Sequence, residues 1–270
     1  MTAFICTTCG TQFEPADAPP ERCAICCEER QFVNPAGQAW TTLDDLRNHH
    51  FSALRELEPG LTGIGIEPKF GIGQRALLLR TPHGNLLWDC ISLLDPAVIG
   101  LVRLQGGLAG IAISHPHYYT TMVEWARAFD CPVHLHAADR QWVMRSDARV
   151  RFWEGATQAL LPGVTLIHGG GHFAGGTMLH WRDGAEGKGA LLSGDIVQVT
   201  PDRRASFMWS YPNYLPLSRR AVERIMAALA PLRFDAVYGA FWPSLIPRDG
   251  SAVVVASAAR YLRCLEGAGG

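Results

Sequence analysis

Short apolar runs separated by turn residues recur along this chain, and four of them follow one plan of apolar run, turn, then polar or aromatic residue. Ile111-Ala112-Ile113 leads into Ser114-His115-Pro116-His117, and Val164 to Ile167 into Gly169-Gly170-Gly171-His172. Ala190 to Leu192 leads into Ser193-Gly194-Asp195, and Ala236 to Tyr238 into Gly239-Ala240-Phe241. Runs of this length bounded by turn residues predict buried strands, and strands packed side by side deliver such ends to one edge of a sheet. Alternating Ile64 and Ile66 predict a twisted strand, and Ala76 to Leu79 with Leu86 to Trp88 predict a hairpin about Pro82-His83-Gly84. A helical period appears between these runs. Thr42 caps a helix whose apolar face is Leu43, Leu46, His50 and Leu54. Asp95-Pro96 opens a second, with Val98, Ile99 and Val102 as its buried stripe and Gly106-Gly107 as its end. A helix over Tyr119 to Phe129 puts Tyr119 and Thr120 in its first turn, and a strand follows at Pro132 to Leu135. Ser218 caps a helix with Val222, Ile225, Met226 and Leu229 on one face, and Val254, Ala258, Tyr261 and Leu265 stripe the last one. The alternation predicts an α/β chain.

Histidines bring in the chemistry. A loop after a strand can turn His115 and His117 toward one point, as metal ligation needs, and His172 and Asp195 close two of the other runs. His49 and His50 adjoin on a helix and cannot face the same way. His83 sits in a turn, His180 ends a strand, and His136 is a pocket-lining candidate.

In order and character, these segments resemble the metallo-β-lactamase superfamily of hydrolases from about Gly60 to the C-terminus. That family's first motif is His-x-His-x-Asp-His. His115 and His117 match its first two ligands, while Tyr119 stands at the aspartate's place and Thr120 at the third histidine's. His172 matches the next histidine, and Asp195 the aspartate that usually bridges two ions. Between Gly239 and Trp242 the last family histidine has no counterpart. The resemblance implies an αββα sandwich with one intact ion position, held by His115, His117, His172 and Asp195, and a second position stripped of its ligands. It implies that Asp89, at the end of Leu86-Leu87-Trp88-Asp89, supports the ligand loop. It further implies metal-assisted attack of water on an ester, thioester, lactone or amide. Two residues are candidate catalytic groups. Asp195 is a fourth ligand or orients the water, and Tyr119 either donates a proton or fills the space of the lost ion. Trp209, Tyr211 and Tyr214, in an aromatic loop, form the candidate substrate pocket together with Phe241. Three imidazoles and a carboxylate suit zinc, and also iron or manganese.

Five of the eight cysteines stand near the N-terminus. Cys6-Thr7-Thr8-Cys9 and Cys23-Ala24-Ile25-Cys26 are two Cys-x-x-Cys knuckles, able to place four thiolates tetrahedrally around one ion. Gly10 suits the tight turn after the first knuckle, and regular spacing favours Cys26 over Cys27. The segment resembles the rubredoxin-like module at the end of rubrerythrins, and departs from it at Ala24, where proline is usual. One zinc, or one iron, is implied. With Pro35 and Gly37 as breakers, residues 1–37 read as a rubredoxin-like or zinc-ribbon module and residues 38–270 as a metallo-β-lactamase-like domain.

At 270 residues, 48% hydrophobic and a formal charge of -1, the composition is that of an ordinary globular protein. It offers no electrostatic case for nucleic acid and no apolar run of membrane-spanning length. Met1 to Gly10 lacks the basic start and apolar core of a signal sequence, so the expected setting is cytoplasmic. The expected partner is a small-molecule substrate, and the mixed charge permits a homodimer. Three readings compete. The site residues favour a mononuclear metallohydrolase with a structural ribbon. The missing second-site ligands count against an iron-bearing redox protein. Retention of four ligands counts against a non-catalytic binding module.

Overall fold

In the computed structural model, which describes residues 1–267, the predicted strands sort into two units, Met1–Trp153 and a second beginning at Glu154. The first opens with the cysteine segment, where β1 (Ile5–Cys6) pairs antiparallel with β2 (Trp40–Thr41). Helix α1 (Leu43–His49) is capped by Thr42, whose side chain accepts from the Asp45 N–H. Next in the chain come β3 (Phe51–Glu58), β4 (Leu61–Glu67), β5 (Ala76–Thr81), β6 (Gly84–Trp88) and α2 (Pro96–Leu104). They are followed by β7 (Gly110–Ala112), α3 (Met122–Phe129), β8 (Val133–His136) and β9 (Val150–Trp153). The seven strands β3 to β9 form one sheet in chain order. Pairing is antiparallel from β3 to β6 and parallel from β6 to β9. Parallel neighbours need crossover connections, which α2 and α3 provide on either side of β7. Asp95 caps α2 as expected, its side chain accepting from the Val98 N–H with Pro96 in the first turn.

Two helix expectations are corrected here. The helix foreseen through Leu54 stops at His49, and residues 51–58 run as β3 with Leu54 opposite Ile64. Phe51 to Glu58 is locally a fair helix former, but continuous pairing along β4 outweighs that preference. The helix foreseen from Tyr119 starts at Met122, because Thr120 takes φ 36 and interrupts it. Tyr119 instead follows a single 3-10 turn at Pro116–Tyr118.

The second unit begins with β10 (Thr157–Leu161), β11 (Val164–His168), β12 (Thr177–Trp181), the single turn α4 (Gly184–Gly187) and β13 (Ala190–Gly194). Two short pairs follow, β14 (Gln198–Val199) with β15 (Ala205–Ser206) and β16 (Met208–Ser210) with β17 (Leu215–Pro216). The stretch foreseen as an aromatic loop is therefore largely a hairpin. Helix α5 (Arg219–Leu229), capped by Ser218, then β18 (Ala236–Gly239), β19 (Leu245–Ile246) and α6 (Gly250–Leu265) complete the unit. Its sheet runs β10-β11-β12-β13-β18-β19, parallel only between β13 and β18, the pair that α5 connects. The core gathers Met178, Leu191, Phe207, Val222, Ile225 and Val254, which joins the inner faces of α5 and α6 to the sheet. Among the described residues no helix is long and apolar enough to cross a membrane.

Candidate functional site

Strand β1 ends on Cys6, and the chain turns back through Gly10, whose N–H donates to the Cys6 carbonyl at 2.8 Å. Gly10 has φ +82, a conformation that costs a residue with a Cβ. The second knuckle closes in the same way, the Cys27 N–H reaching the Cys23 carbonyl at 3.0 Å. The Sγ atoms of Cys6, Cys9, Cys23 and Cys26 all lie within 4.8 Å of one another, with 3.6 Å for Cys6–Cys26 and for Cys9–Cys23. Thiolates about 2.3 Å from a tetrahedral ion stand about 3.8 Å apart, so this donor set fits one ion. Cys27 is exposed and lies outside the cluster. Gln38 closes one side, its Nε2 donating to Cys6 Sγ at 3.3 Å and its Oε1 accepting the Cys23 N–H at 3.1 Å. Hydrogen bonds from Cys23 and Cys26 hold the Cys6 thiol well below the usual range, while burial pushes Cys9 up. Thiols so crowded share their protons, and a cation is what lets all four ionise together.

The His-x-His loop leaves the end of β7 in the same unit. Asp89, one residue past β6, takes φ 60, uncommon for a residue other than glycine. Its N–H bonds to the Ala112 carbonyl at 2.8 Å, and its Oδ1 accepts the Ser114 N–H at 2.7 Å. Asp89 thus braces the strand end that precedes the histidines, the role the resemblance implied. Ser114 Oγ lies 2.9 Å from His115 Nδ1. Pro116 opens the 3-10 turn, in which the Tyr118 N–H meets the His115 carbonyl at 3.1 Å. That turn sets the buried rings of His115 and His117 at 5.1 Å between centroids. Tyr119 is buried too. Burial, and then the charge of Asp139, push its phenol well above the ordinary range, so it keeps its proton. His136 caps the turn after β8, its Nδ1 accepting the Ala138 N–H at 3.3 Å.

In the second unit β11 gives way to the glycine turn, with φ +61 at Gly170 and +86 at Gly171. The N–H groups of Gly169 and Gly170 both donate to the Gly176 carbonyl, at 2.9 and 2.8 Å, and close the loop that holds His172. His172 is buried. Its Nδ1 lies 2.8 Å from the Trp209 carbonyl, to which it donates, and its ring meets Tyr211 at 5.4 Å. Asp195, also buried, follows Gly194 (φ +51) at the end of β13. The Tyr211 hydroxyl donates to the Asp195 backbone carbonyl at 2.7 Å. Burial, then the Asp195 charge, raise the Tyr211 phenol. Trp209 packs partly against the core, while Tyr214 is 84% exposed at the hairpin tip. Phe241 lies in the turn before β19, its carbonyl accepting the Ser244 N–H at 3.0 Å. His180 Nε2 lies 2.8 Å from the Arg233 carbonyl, the structural role its position suggested.

Sequence reasoning missed Ser114, Gln38, Asp139 and the Trp209 carbonyl. Ser114 adjoins the motif and was open to notice. A backbone acceptor carries no sequence signal, because every residue has one, and Gln38 and Asp139 lie outside any recurrent spacing.

No family model matches the chain. The uncharacterized protein YmaE of Bacillus subtilis (strain 168) is 45% identical over 269 residues, covering 98% of each chain. Among solved structures, the DIM-1 metallo-β-lactamase matches 79% of this chain and 97% of its own, with TM-score 0.59 and 11% identity. A B3 metallo-β-lactamase with an active-site glutamic acid matches 79% and 89%, with TM-score 0.55 and 16% identity. A metallo-β-lactamase of Cronobacter sakazakii matches 79% and 95%, with TM-score 0.54 and 17% identity. At these identities the likeness to the solved structures is one of fold.

Proposed function

The chain belongs to the family of the Bacillus subtilis protein YmaE and carries the metallo-β-lactamase fold, and from that premise we propose a metal-dependent hydrolase with a single ion at His115, His117, His172 and Asp195. The three histidines are the ligand set that the sequence motifs imply. What carries the reading is how two of the imidazoles are held. Ser114 engages Nδ1 of His115, and the Trp209 carbonyl engages Nδ1 of His172. Metal-ligating histidines are oriented by such a partner on the other ring nitrogen, which assigns ligation to Nε2. The donor set suits zinc, with iron or manganese as alternatives.

A divalent ion there would supply Lewis acidity, lowering the pKa of a water to about 7 and polarising a carbonyl. The chain's own residues do the rest. Asp195 serves as fourth ligand or orients the water. Tyr119, kept protonated by burial, donates to the oxyanion or to the leaving group. Asp89 and Ser114 hold the ligand loop. The substrate is a small-molecule ester, thioester, lactone or amide, with Trp209, Tyr211, Tyr214 and Phe241 as pocket residues. Residues 1–37 are assigned as the ribbon, with one structural zinc or iron, and residues 38–270 as the hydrolase domain. A cytoplasmic setting and a homodimer are compatible with the composition.

Metal content per chain, measured by plasma mass spectrometry on the wild type and on His172→Ala, tests the assignment. Two ions falling to one support it. One ion that survives the substitution removes the histidine site and leaves a binding module with a ribbon. Three ions would overturn the mononuclear assignment. A screen of aryl esters, thioesters and lactones follows, and unchanged turnover by Tyr119→Phe at saturating metal would take Tyr119 out of the chemistry.

A further inference from the structure

The cysteine segment is bonded directly to the loops on either side of His115 and His117. At the first knuckle, the Gly10 carbonyl accepts from Ser92 Oγ at 3.0 Å, in the loop after β6. Contact is close enough that a Cβ on Gly10 would lie 2.2 Å from that Oγ. Two residues on, the Gln12 N–H donates to the Thr120 carbonyl at 3.1 Å. Gln12 Oε1 accepts from Arg145, which also pairs with Glu124 of α3 at 2.6 Å. The loop that carries Ser92 is itself tied around the histidines. Asp89 holds Ser114, and Thr121 Oγ1 donates to the carbonyls of Ile91 and Ser92 at 2.9 and 3.1 Å. Thr120 is buried at φ 36, a backbone state that a threonine keeps only where its surroundings impose it.

Within the knuckle, the Gly10 N–H meets the Cys6 carbonyl at 2.8 Å and the Cys6 N–H meets the Thr11 carbonyl at 3.0 Å. One hydrogen-bonded turn therefore joins Cys6 and Cys9 to the two groups that grip the loops, the Gly10 carbonyl and the Gln12 N–H. We propose that the four-cysteine ribbon is a positioning element for the His115–His117 loop, with Gln12 and Ser92 as the positioning residues. An ion on the four thiolates fixes the turn, the turn fixes Thr120 and Ser92, and these fix the segment between them. Loss of the ribbon's ion, or of either grip, loosens the histidine loop. The consequence for catalysis rests on the reading of His115 and His117 as ligands; the mechanical coupling does not.

Hydrogen exchange with mass-spectrometric readout on the full, zinc-loaded chain tests this. Gln12→Pro removes the N–H that reaches Thr120 and leaves all four cysteines. The expected result is retention of the ribbon's ion with amides of residues 114–121 exchanging about tenfold faster, the worth of one backbone hydrogen bond, and β4 and β5 unchanged. Affinity of the histidines for added cobalt, followed by its visible absorption, falls about tenfold with it. Ser92→Ala, a milder change, moves both readings in the same direction and decides the matter if Gln12→Pro loses protection throughout. Unchanged exchange in residues 114–121 with the ion retained overturns the proposal. Faster exchange in the variants, in a wild type that binds no ion beyond the ribbon's, would uphold the coupling and sink the hydrolase reading.

Discussion

The turn that presents His172 depends on a glycine four residues beyond it, and substituting that glycine separates a packing defect from a simple backbone penalty. The Gly176 carbonyl accepts from Gly169 and Gly170, and a Cβ built on Gly176 would stand 2.6 Å from the Gly170 carbonyl oxygen and 2.6 Å from Ile196 Cδ1. The isoleucine can rotate away. The carbonyl oxygen cannot move unless the turn moves with it. Gly176→Ala should therefore lose one or both hydrogen bonds, at about 1 kcal/mol each, and add overpacking of about 1–3 kcal/mol. A total of about 2–5 kcal/mol corresponds to a melting point lower by roughly 4–20 °C in a chain of this size. Gly187→Ala is the control. Gly187 has φ +81 and no heavy atom within 4 Å of its would-be Cβ, so only the backbone cost of about 1 kcal/mol applies. Thermal melting and metal content of both variants are the assay. Gly187→Ala is expected to keep both ions, and Gly176→Ala to lose the ion assigned to the histidines while the ribbon stays loaded. Equal melting shifts for the two variants would refute the reasoning.

Asp89→Asn weakens the charge-assisted bond to the Ser114 N–H and is expected to cost about 1–2 kcal/mol, with lower cobalt affinity at the histidines; unchanged affinity would exclude Asp89 as their brace. Gln38→Ala removes the donor to Cys6 Sγ, so the ribbon's ion should pass to a competing chelator several-fold faster with the melting point nearly unchanged, and equal transfer rates would contradict this. Burial pushes the Cys90 thiol from an ordinary 9.0 up to about 12. Its stabilising effect is complete below the unfolded value and is lost as pH rises toward the folded one. Stability should fall above about pH 9 by up to about 1.4 kcal/mol per pH unit from this group. Urea midpoints across that range should fall less steeply for Cys90→Ala, and parallel curves would exclude Cys90 as a source.

Much of this architecture is legible because its signals are local. Asp95-Pro96 and Ser218 cap helices through side chains one turn from the groups they bond, and the paired cysteines declare a cluster by spacing alone. The strand ends before His115, His172 and Asp195 show as apolar runs that stop at turn residues. Legibility fails where distant segments decide. Phe51 to Glu58 is a strand only because β4 offers it a partner. Thr120 leaves helical geometry in a loop gripped by Gln12, more than a hundred positions earlier in the chain. Strands β9 and β10 are not legible in the sequence, since neither carries a clean alternation of apolar and polar residues. The partner at Nδ1 of His172 is hidden too, being the main-chain oxygen of Trp209.

Strand β3 lies at the end of its sheet, so one row of its backbone groups takes no partner from that sheet. Phe51 and Leu54 are exposed there, an invitation to pairing with a second chain. Arg55 and Glu56 oppose it: both are exposed, and Glu56 lies 3.8 Å from Arg80. A strand that tried to add itself at this edge would have to bury those charges. Resistance to aggregation in a concentrated solution thus falls to a few surface charges, and a chain neutralised at Arg55 and Glu56 could keep every cysteine and histidine in place and still come out of solution.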